Sequence, residues 1–484
     1  MSITEVVTTL KLDQISRTKT IATVGPACSK TEMLVKLIQT GVDVFRLNMA
    51  HGTRADHESA IRNIREANEI TGRPSGILID LAGPKIRLGQ LNLDPLTIEN
   101  GQTLSFIRGT KSNSATELTC TYESLLDELS VGDSIVLADG LARLKVDSIE
   151  NDKAVCTVVD GGTIRSRQGV NLPGTHLSIP ALGEKDKDNA VWAASQDVQF
   201  VSLSFVRNAN EIQDLKSLLA DHNCHANVVA KIEKQEALEN LEEIVQATDA
   251  IMVARGDLGV EIAIEKTPLA QKQIIRICST YRKPVIVATQ MLESMHTSKQ
   301  PTRAEASDVA NAILDGADAC MLSGETAIGE YPIDAASIMQ KIMLETEQML
   351  KGRNSKMSLL DDLPHDMVSE SIIFGAAQIA RRLEATFVAV ASSTGGTARL
   401  KSKQRDYIPT ICFTDDDEVM KKMSLYWGIV PVRIPCFTET QLRQFVDDWA
   451  KEHCDVKSGD PIVIVSDTEW MPGVHDAIMV CRVS

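Results

Sequence analysis

Ala226-Asn-Val-Val-Ala-Lys-Ile-Glu-Lys-Gln-Glu-Ala-Leu238 and, a short way on, Ile251-Met-Val-Ala-Arg-Gly-Asp-Leu-Gly259 carry the pattern that decides the fold. Each opens on an apolar run too short for a helix and passes at once to charged residues. Runs of this kind, read as strands, occur at Thr20 to Val24, Val42 to Leu47, Gly76 to Leu81, Val198 to Ser204, Val228 to Ile232, Ala250 to Ala254, Pro284 to Thr289 and Asp318 to Leu322. Helix-length amphipathic stretches alternate with them. Eight strand-then-helix units predict an α/β protein built on a (β/α)8 TIM barrel, whose active sites lie at the carboxyl ends of the strands. Helix starts are expected where a hydroxyl and a carboxylate stand at capping-box spacing, Ser29 with Glu32 and Thr302 with Glu305.

The rhythm breaks between residues 89 and 184, where Gly132-Asp-Ser-Ile-Val-Leu137, Lys153-Ala-Val-Cys-Thr-Val-Val159 and Asp160-Gly-Gly162 alternate or turn. A small β-barrel domain inserted after strand three is expected there, placed to act as a lid that excludes water. The barrel would then occupy residues 1–88 and 185–352. Residues 353–484 restart a strand and helix alternation, with strands at Thr386 to Ala391, Pro409 to Phe413, Ile429 to Ile434, Pro461 to Ser466 and Ala477 to Arg482, as in a C-terminal open α/β domain.

At 484 residues, with 43% hydrophobic and 24% charged side chains, the chain can bury more than one core, which excludes disorder and a minimal binding module. Fifty basic against 66 acidic residues leave a net charge of -16, so no global field attracts nucleic acid or anionic lipid. Any phosphate must be held locally. The N-terminal stretch Met1 to Thr20 lacks the basic and apolar regions of a signal peptide, and no apolar run of about 18 residues occurs, so a cytoplasmic protein is expected. The 10 cysteines are scattered without a C-x-x-C pair, and Cys224-His225 has no second pair at zinc-ligand spacing, as in a protein with reduced, buried thiols.

Polar side chains gather at the expected strand ends: Arg46 and Asn48 after strand two, Asp80 after three, Lys231 and Glu233 after five, Arg255 and Asp257 after six, Thr289 after seven, Ser323 and Glu325 after eight. Spacing of i, i+2 in a strand puts Lys231 and Glu233 on one face. Glu233 and Asp257 offer two hard oxygen ligands, which suits Mg2+ completed by water and substrate oxygens. Lys231, on its own equally readable as a salt-bridge partner, could neutralise charge on a transferring phosphoryl group or an enolate. Gly256 permits close backbone approach, and the amides there suit a small carboxylate. No G-x-x-x-x-G-K-[ST] occurs. In the C-terminal region Ser392, Ser393, Thr394, Gly395, Gly396 and Thr397 follow a strand and precede a helical pattern with Arg399 and Lys401, so they could form an anion nest or a plain strand-to-helix turn.

The quoted segments resemble the signatures of the pyruvate kinases. So do Thr23-Val-Gly-Pro-Ala27, Arg46-Leu-Asn-Met-Ala-His-Gly52, Gly169-Val-Asn-Leu-Pro-Gly174, Ala288-Thr-Gln-Met-Leu-Glu-Ser294, Pro301-Thr-Arg-Ala-Glu305 and Met321-Leu-Ser-Gly-Glu-Thr-Ala327. The likeness runs from about Arg17 to the C-terminus. It implies a three-domain homotetramer that transfers phosphoryl from phosphoenolpyruvate to ADP, giving pyruvate and ATP. By the same likeness Glu233 and Asp257 hold Mg2+, or Mn2+ in its place, and Lys231 and Arg46 meet the phosphoryl group. Arg255, Gly256 and Thr289 take the substrate carboxylate. Thr289, Ser323 and Glu325 order the water that protonates the enolate, the donor itself being left open. Asn48, His51 and Arg87 face the nucleotide, although His51 is equally readable as a satisfied strand-end histidine. A phosphorylated activator is implied at Ser392 to Thr397, closed over by Trp470-Met-Pro-Gly-Val474.

Two departures stand out. Asn208 occupies a position where the family often has lysine, which puts one phosphate contact on the ADP side in doubt. The family's potassium ion is held by Asn, Ser and Asp with a Glu close by; here Asn48 and Asp80 remain, but Ala50 replaces the Ser, Lys85 the Glu, and Leu81 a usual threonine. An ammonium on Lys85 would supply the ion's charge permanently, so K+ is expected not to be required. A rival enzymatic reading is a metal-dependent aldolase or lyase of the phosphoenolpyruvate and pyruvate type, against which the inserted lid argues. A non-catalytic metabolite sensor would be expected to have lost Lys231, Glu233 or Asp257.

Overall fold

Ala-Ile-Met-Val-Ala over Ala250–Ala254 is buried at every position, as are Lys19–Thr23, Gly76–Asp80 and Val285–Ala288. Strands covered on both faces need apolar side chains on both, which is why these segments read as continuous runs. The computed structural model describes residues 15–150, 152–351, 367–435, 439–466 and 477–484. Eight parallel strands close a barrel: Lys19–Thr23, Val42–Asn48, Gly76–Asp80, Phe200–Leu203, Asn227–Ile232, Ala250–Ala254, Val285–Ala288 and Ala319–Leu322, the first pairing with both the second and the eighth. Each expected barrel strand is present, shifted by no more than two residues at either end.

Helix starts follow local chemistry. Helix Arg303–Asp315 begins with the expected capping box, Thr302 accepting from Glu305 N and the Glu305 carboxylate accepting from Thr302 N. The expected box at Ser29 and Glu32 does not form. Helix Thr31–Thr40 is capped at Lys30 without a side-chain bond, and the Thr31 hydroxyl donates instead to Glu66. A box that the spacing also allowed, Thr53 with Asp56, opens helix Arg54–Thr71.

The described chain divides into two compact units, one of Asp80–Asp197 and Val201–Ile274, the other of the remaining residues. In the first, residues 89–184 form a six-stranded sheet in the order Val170–Asn171, Ser134–Leu137, Ala142–Glu150, Lys153–Asp160, Thr103–Ile107, Glu117–Leu118. A two-stranded ribbon, Leu96–Ile98 with Gly162–Ile164, stands apart from it. Where one closed barrel is expected the ladder is thus split in two, between the strand that ends at Asp160 and the strand Gly162–Ile164 that pairs with Leu96–Ile98. Both parts still bury one core around Phe106, Leu144 and Val146. Ala142–Glu150 alternates buried and exposed, as a half-covered antiparallel strand must.

In the other unit, residues after 367 build a sheet ordered Ile429–Arg433, Thr410–Thr414, Val388–Ala391, Pro461–Ser466, Ala477–Arg482, the last strand antiparallel. Separate apolar clusters around Phe413 with Trp449 and around Val390 with Met423 show that helices cover both faces. This domain is fastened to the amino ends of the barrel strands by charge. Asp318, fully buried, pairs with Lys403 and with Arg405 at 3.0 Å, and also accepts from Val285 N at 2.8 Å. Arg405 stacks over Trp427, and the Lys19 ammonium donates to Ile429 O at 2.9 Å. No helix among the described residues is long and apolar enough to cross a membrane. The described cysteines are free thiols, and burial pushes Cys156 and Cys278 up to about 12.

Removing one partner from a buried pair leaves a charge without compensation, which costs about 3 to 5 kcal/mol. Asp318→Asn, which strands Lys403 and Arg405, is therefore expected to lower the urea midpoint for unfolding of the C-terminal domain, followed by tryptophan fluorescence. An unchanged midpoint would show that this junction adds nothing to stability.

Candidate active site

The strand ends of the Asp80–Asp197 and Val201–Ile274 unit supply a buried ionic cluster. Lys231, the last residue but one of its strand, is 9% exposed, with its ammonium 2.8 Å from Glu233 Oε1, 2.8 Å from Ser204 Oγ and 3.5 Å from Asp80 Oδ1. Asp80 and Glu233 are each 1% exposed. The i, i+2 spacing does bring Lys231 and Glu233 together. Glu233 Oε2 accepts from Phe205 N at 2.7 Å, whereas Oε1 lies beside the ammonium without an aligned hydrogen bond. Burial pushes the Glu233 carboxyl up; the Lys231 charge opposes this and the Asp257 charge adds to it. Two carboxylates that repel one another beside a buried, underused oxygen suit a divalent cation. No set of three or more metal-ligating side chains occurs among the described residues.

Two serines that the sequence reading passed over hold this cluster in place. Ser202 Oγ donates to Asp80 Oδ1 at 2.5 Å; Ser204 Oγ accepts from Lys231 and donates to Leu81 O at 2.7 Å. Their alternation in Val201-Ser-Leu-Ser204 was a legible sign that both point the same way.

Arg255 and Gly256 belong to helix Arg255–Glu261, which starts directly at the strand end, so their amides lie in its first turn. Asp257 lines a cavity of about 440 Å3 together with Lys85, Arg87, Asp139, Arg165 and Arg167. Six basic and three acidic side chains line it, a local positive excess in an acidic chain. Arg87 donates to Arg167 O at 3.0 Å. Lys85 is exposed as a residue, yet partial burial of its ammonium pushes its pKa down, with Lys231 and Arg87 adding repulsion against the pull of Asp257 and Asp80. Asn208 is absent from this lining. Its side chain caps helix Ala209–Asp221 by accepting from Asn210 N and Glu211 N, which accounts for asparagine there without a phosphate.

In the other unit Arg46 is 8% exposed and donates to Thr23 Oγ1 at 3.0 Å. Asn48 Oδ1 accepts from Ala50 N, closing its own turn, while His51 is exposed and its carbonyl meets His57 Nε2. Thr289 and Gln290 both take left-handed backbone, at φ 65° and 56°, an outlier for a β-branched residue at a strand end. Glu325, 2% exposed, accepts from Ser323 N at 2.7 Å and Leu292 N at 3.1 Å; Ser323 Oγ is buried without a hydrogen-bond partner.

Within the C-terminal domain, Ser392 Oγ accepts from Gly395 N, and Gly395, at φ 78°, caps helix Gly396–Lys403. Thr394 Oγ1 accepts from Gly396 N, and Thr397 lies inside the helix rather than at its cap. Lys401 is committed to Asp406, whereas Arg399 Nε is buried with no hydrogen-bond partner. Trp470 to Val474 lie outside the described residues.

Comparison with known proteins places these features. The family model for the pyruvate kinase barrel domain matches residues 15–336, and that for the pyruvate kinase alpha/beta domain residues 370–481. A pyruvate kinase of Mycobacterium intracellulare is 41% identical over 93% of this chain and 94% of its own. One of Geobacillus stearothermophilus is 39% identical over 93% of this chain and 77% of its own. The crystal structure of a pyruvate kinase from Cryptosporidium parvum superposes with a TM-score of 0.91 at 33% identity, covering 99% of this chain and 98% of that one. With both family models matched in order and relatives alike along nearly its whole length, this chain belongs to the pyruvate kinase family of phosphotransferases.

Proposed function

We propose that the chain transfers phosphoryl from phosphoenolpyruvate to ADP with Mg2+, as the last step of glycolysis in the cytoplasm. The observation that carries this reading is the Lys231 ammonium set among Asp80, Ser204 and Glu233, next to a cavity with a positive excess. Glu233 and Asp257 would hold the metal, Mn2+ serving in its place, which would offset the negative charge of the substrate oxygens. The bond from phosphorus to the enol oxygen breaks while an ADP β-phosphate oxygen bonds to phosphorus. Lys231 faces first the moving phosphoryl group and then the enolate oxygen, and Arg46 adds a second positive charge. Such transfer is mostly positioning and charge stabilisation.

Arg255 and Gly256 present first-turn amides to the substrate carboxylate, with the Thr289 hydroxyl. Thr289, Ser323 and Glu325 order the water relay that leads to the enolate carbon. Asn48, His51 and Arg87 belong to the nucleotide side; the exposure of His51 equally fits a residue with no ligand. A homotetramer follows from the family likeness, and the exposed Ile264 and Leu269 offer apolar surface to it.

Lys231→Met is expected to lower turnover about a hundredfold or more, because one such electrostatic group is lost from the transition state. Near-normal turnover, with an unchanged circular dichroism spectrum, would remove Lys231 from this role.

Lys85 replaces a monovalent cation in this reading. The enzyme is expected to be highly active with Mg2+ alone in tetramethylammonium buffer at constant ionic strength, and Lys85→Glu to lose activity and recover part of it with potassium. Because burial lowers the Lys85 pKa, its charge is present below that value and lost as pH rises through it. Activity without potassium should accordingly fall at a pH below the ordinary lysine range, and potassium should restore it there. Many-fold activation of the unaltered enzyme by potassium at neutral pH would overturn the assignment.

A phosphorylated activator is proposed at Ser392 to Thr397, supported by the first-turn amides of Gly396–Lys403 and the unpartnered Arg399 Nε. A panel of sugar phosphates and AMP at subsaturating phosphoenolpyruvate should include an activator whose effect Arg399→Gln weakens; insensitivity to all of them would count against the site.

A further inference from the structure

Arg207 follows strand Phe200–Leu203 and lines the same cavity as Lys85, Arg87 and Asp257. Arg87, assigned to the nucleotide side, makes this cavity the place for the nucleotide, and a guanidinium there would ordinarily be given to a phosphate. Its hydrogen bonds assign it elsewhere. Nε and Nη2 donate to Glu211 Oε1 at 3.0 and 2.5 Å, and the Arg207 amide donates to Glu211 Oε2 at 2.7 Å. Nη1 donates to Leu177 O, and Nη2 to Ile179 O at 2.9 Å. Four of the five guanidinium hydrogens are thus used, and the positive charge is matched by a carboxylate whose side chain is only 12% exposed.

Leu177 and Ile179 lie on the limb by which the chain returns from the inserted β domain, after Val170–Asn171, to helix Glu184–Ala194. In an extended chain alternate carbonyls point the same way, and a planar fork can span both where a lysine ammonium cannot. The neighbouring residues of this limb are tied as well. His176 pairs with Glu236, beside strand five, and Ser178 with Glu128 in the inserted domain. The outgoing limb is held separately, the Asp186 carboxylate accepting from Ala82 N at 3.1 Å and Gly83 N at 2.9 Å.

We propose that Arg207, held by Glu211, is a positioning residue for phosphoryl transfer. It fixes the return limb, and with it the stretch Arg165 to Leu172 that lines the cavity, at a set distance from the strand ends that carry Lys231 and Asp257. It does so without touching the nucleotide. The proposal rests on the reading that the nucleotide occupies this cavity.

The test uses the full-length enzyme and the variants Arg207→Gln, Arg207→Lys and Glu211→Gln. KM for ADP, KM for phosphoenolpyruvate and kcat are measured separately, with amide hydrogen exchange across Gly174 to Leu182. Arg207→Gln is expected to raise KM for ADP about tenfold or more, since a small misplacement of binding groups is costly. KM for phosphoenolpyruvate should stay within about twofold, as it reports groups that have not moved. Exchange across Gly174 to Leu182 should quicken, Arg207→Lys should restore neither, and Glu211→Gln should shift both in the same direction. A phosphate contact makes the opposite forecast for Glu211→Gln: a guanidinium freed of its carboxylate would lower KM for ADP, with exchange in the limb unchanged. That result, or an unaltered limb in Arg207→Gln, overturns the proposal. Failure of saturating ADP to slow exchange across Arg165 to Leu172 in the unaltered enzyme would instead overturn the nucleotide reading of the cavity, whatever the limb does.

Discussion

An ammonium taken out of water at the end of a strand has to be surrounded by oxygens, and Lys231 meets that demand with Asp80, Ser204 and Glu233. Each of those residues is then fixed by something further along the chain. Ser202 donates to Asp80, Ser204 to Leu81 O, and Phe205 N to Glu233. Three consecutive barrel strands are in this way joined at their carboxyl ends by side chains as well as by the ladder. Each carboxylate alone would be expensive to bury, and so would the lysine; only the set is affordable. These three strand ends are therefore held as one group, in which a charge brought to them would be stabilised without reorganisation.

The same principle works at the other end of the barrel with a different outcome. Asp318 and Lys403 are as buried as the Lys231 cluster, and both Asp318 oxygens accept, from Arg405, Lys403 and Val285 N, although Arg405 Nη1 is left without a hydrogen-bond partner. At the carboxyl ends Glu233 Oε1 and Ser323 Oγ remain underused. Closed networks give rigidity, open ones leave valence for a ligand, and composition alone cannot tell the two apart. What separates the candidate site from the junction is the buried carboxylate: both Asp318 oxygens accept hydrogen bonds, whereas Glu233 Oε1 does not.

Strands and their polar ends were legible because a covered parallel strand needs a continuous apolar run and because a closed barrel sends every strand end to one face. Lys231 with Glu233 was readable for the same reason, since i, i+2 is fixed by the pleat. What escaped notice depended on which residues become neighbours across strands or across an insertion. Ser204 meets Lys231 from 27 positions away, and Arg207 meets Leu177 from 30. Local signals failed where a residue found a partner elsewhere: Ser29 with Glu32 had the spacing of a cap, but Thr31 met Glu66 and the helix began at Thr31 with Lys30 as its cap. Asn208 was weighed against a lysine expected by likeness, although asparagine before a helical run is a good cap on its own terms.

Pairing of the first barrel strand with the last, Lys19 against Ala319 and Ala22 against Leu322, sets a timetable for synthesis. Strand one leaves the ribosome about 300 residues before its second neighbour, a wait of roughly 15 to 60 s at ordinary elongation rates. Until then one of its edges stays open, with the hydrogen-bonding groups of Ile21 and Ala22 unmatched on that side, and the nascent barrel is a curved sheet rather than a cylinder. The inserted domain, whose buried core runs from Ile86 to Leu172 with Leu177 packed against it, can complete itself during that interval. Nascent chains should therefore hold a finished inserted domain while the barrel is still unfinished, and protection of strand one from proteolysis should arrive late and all at once.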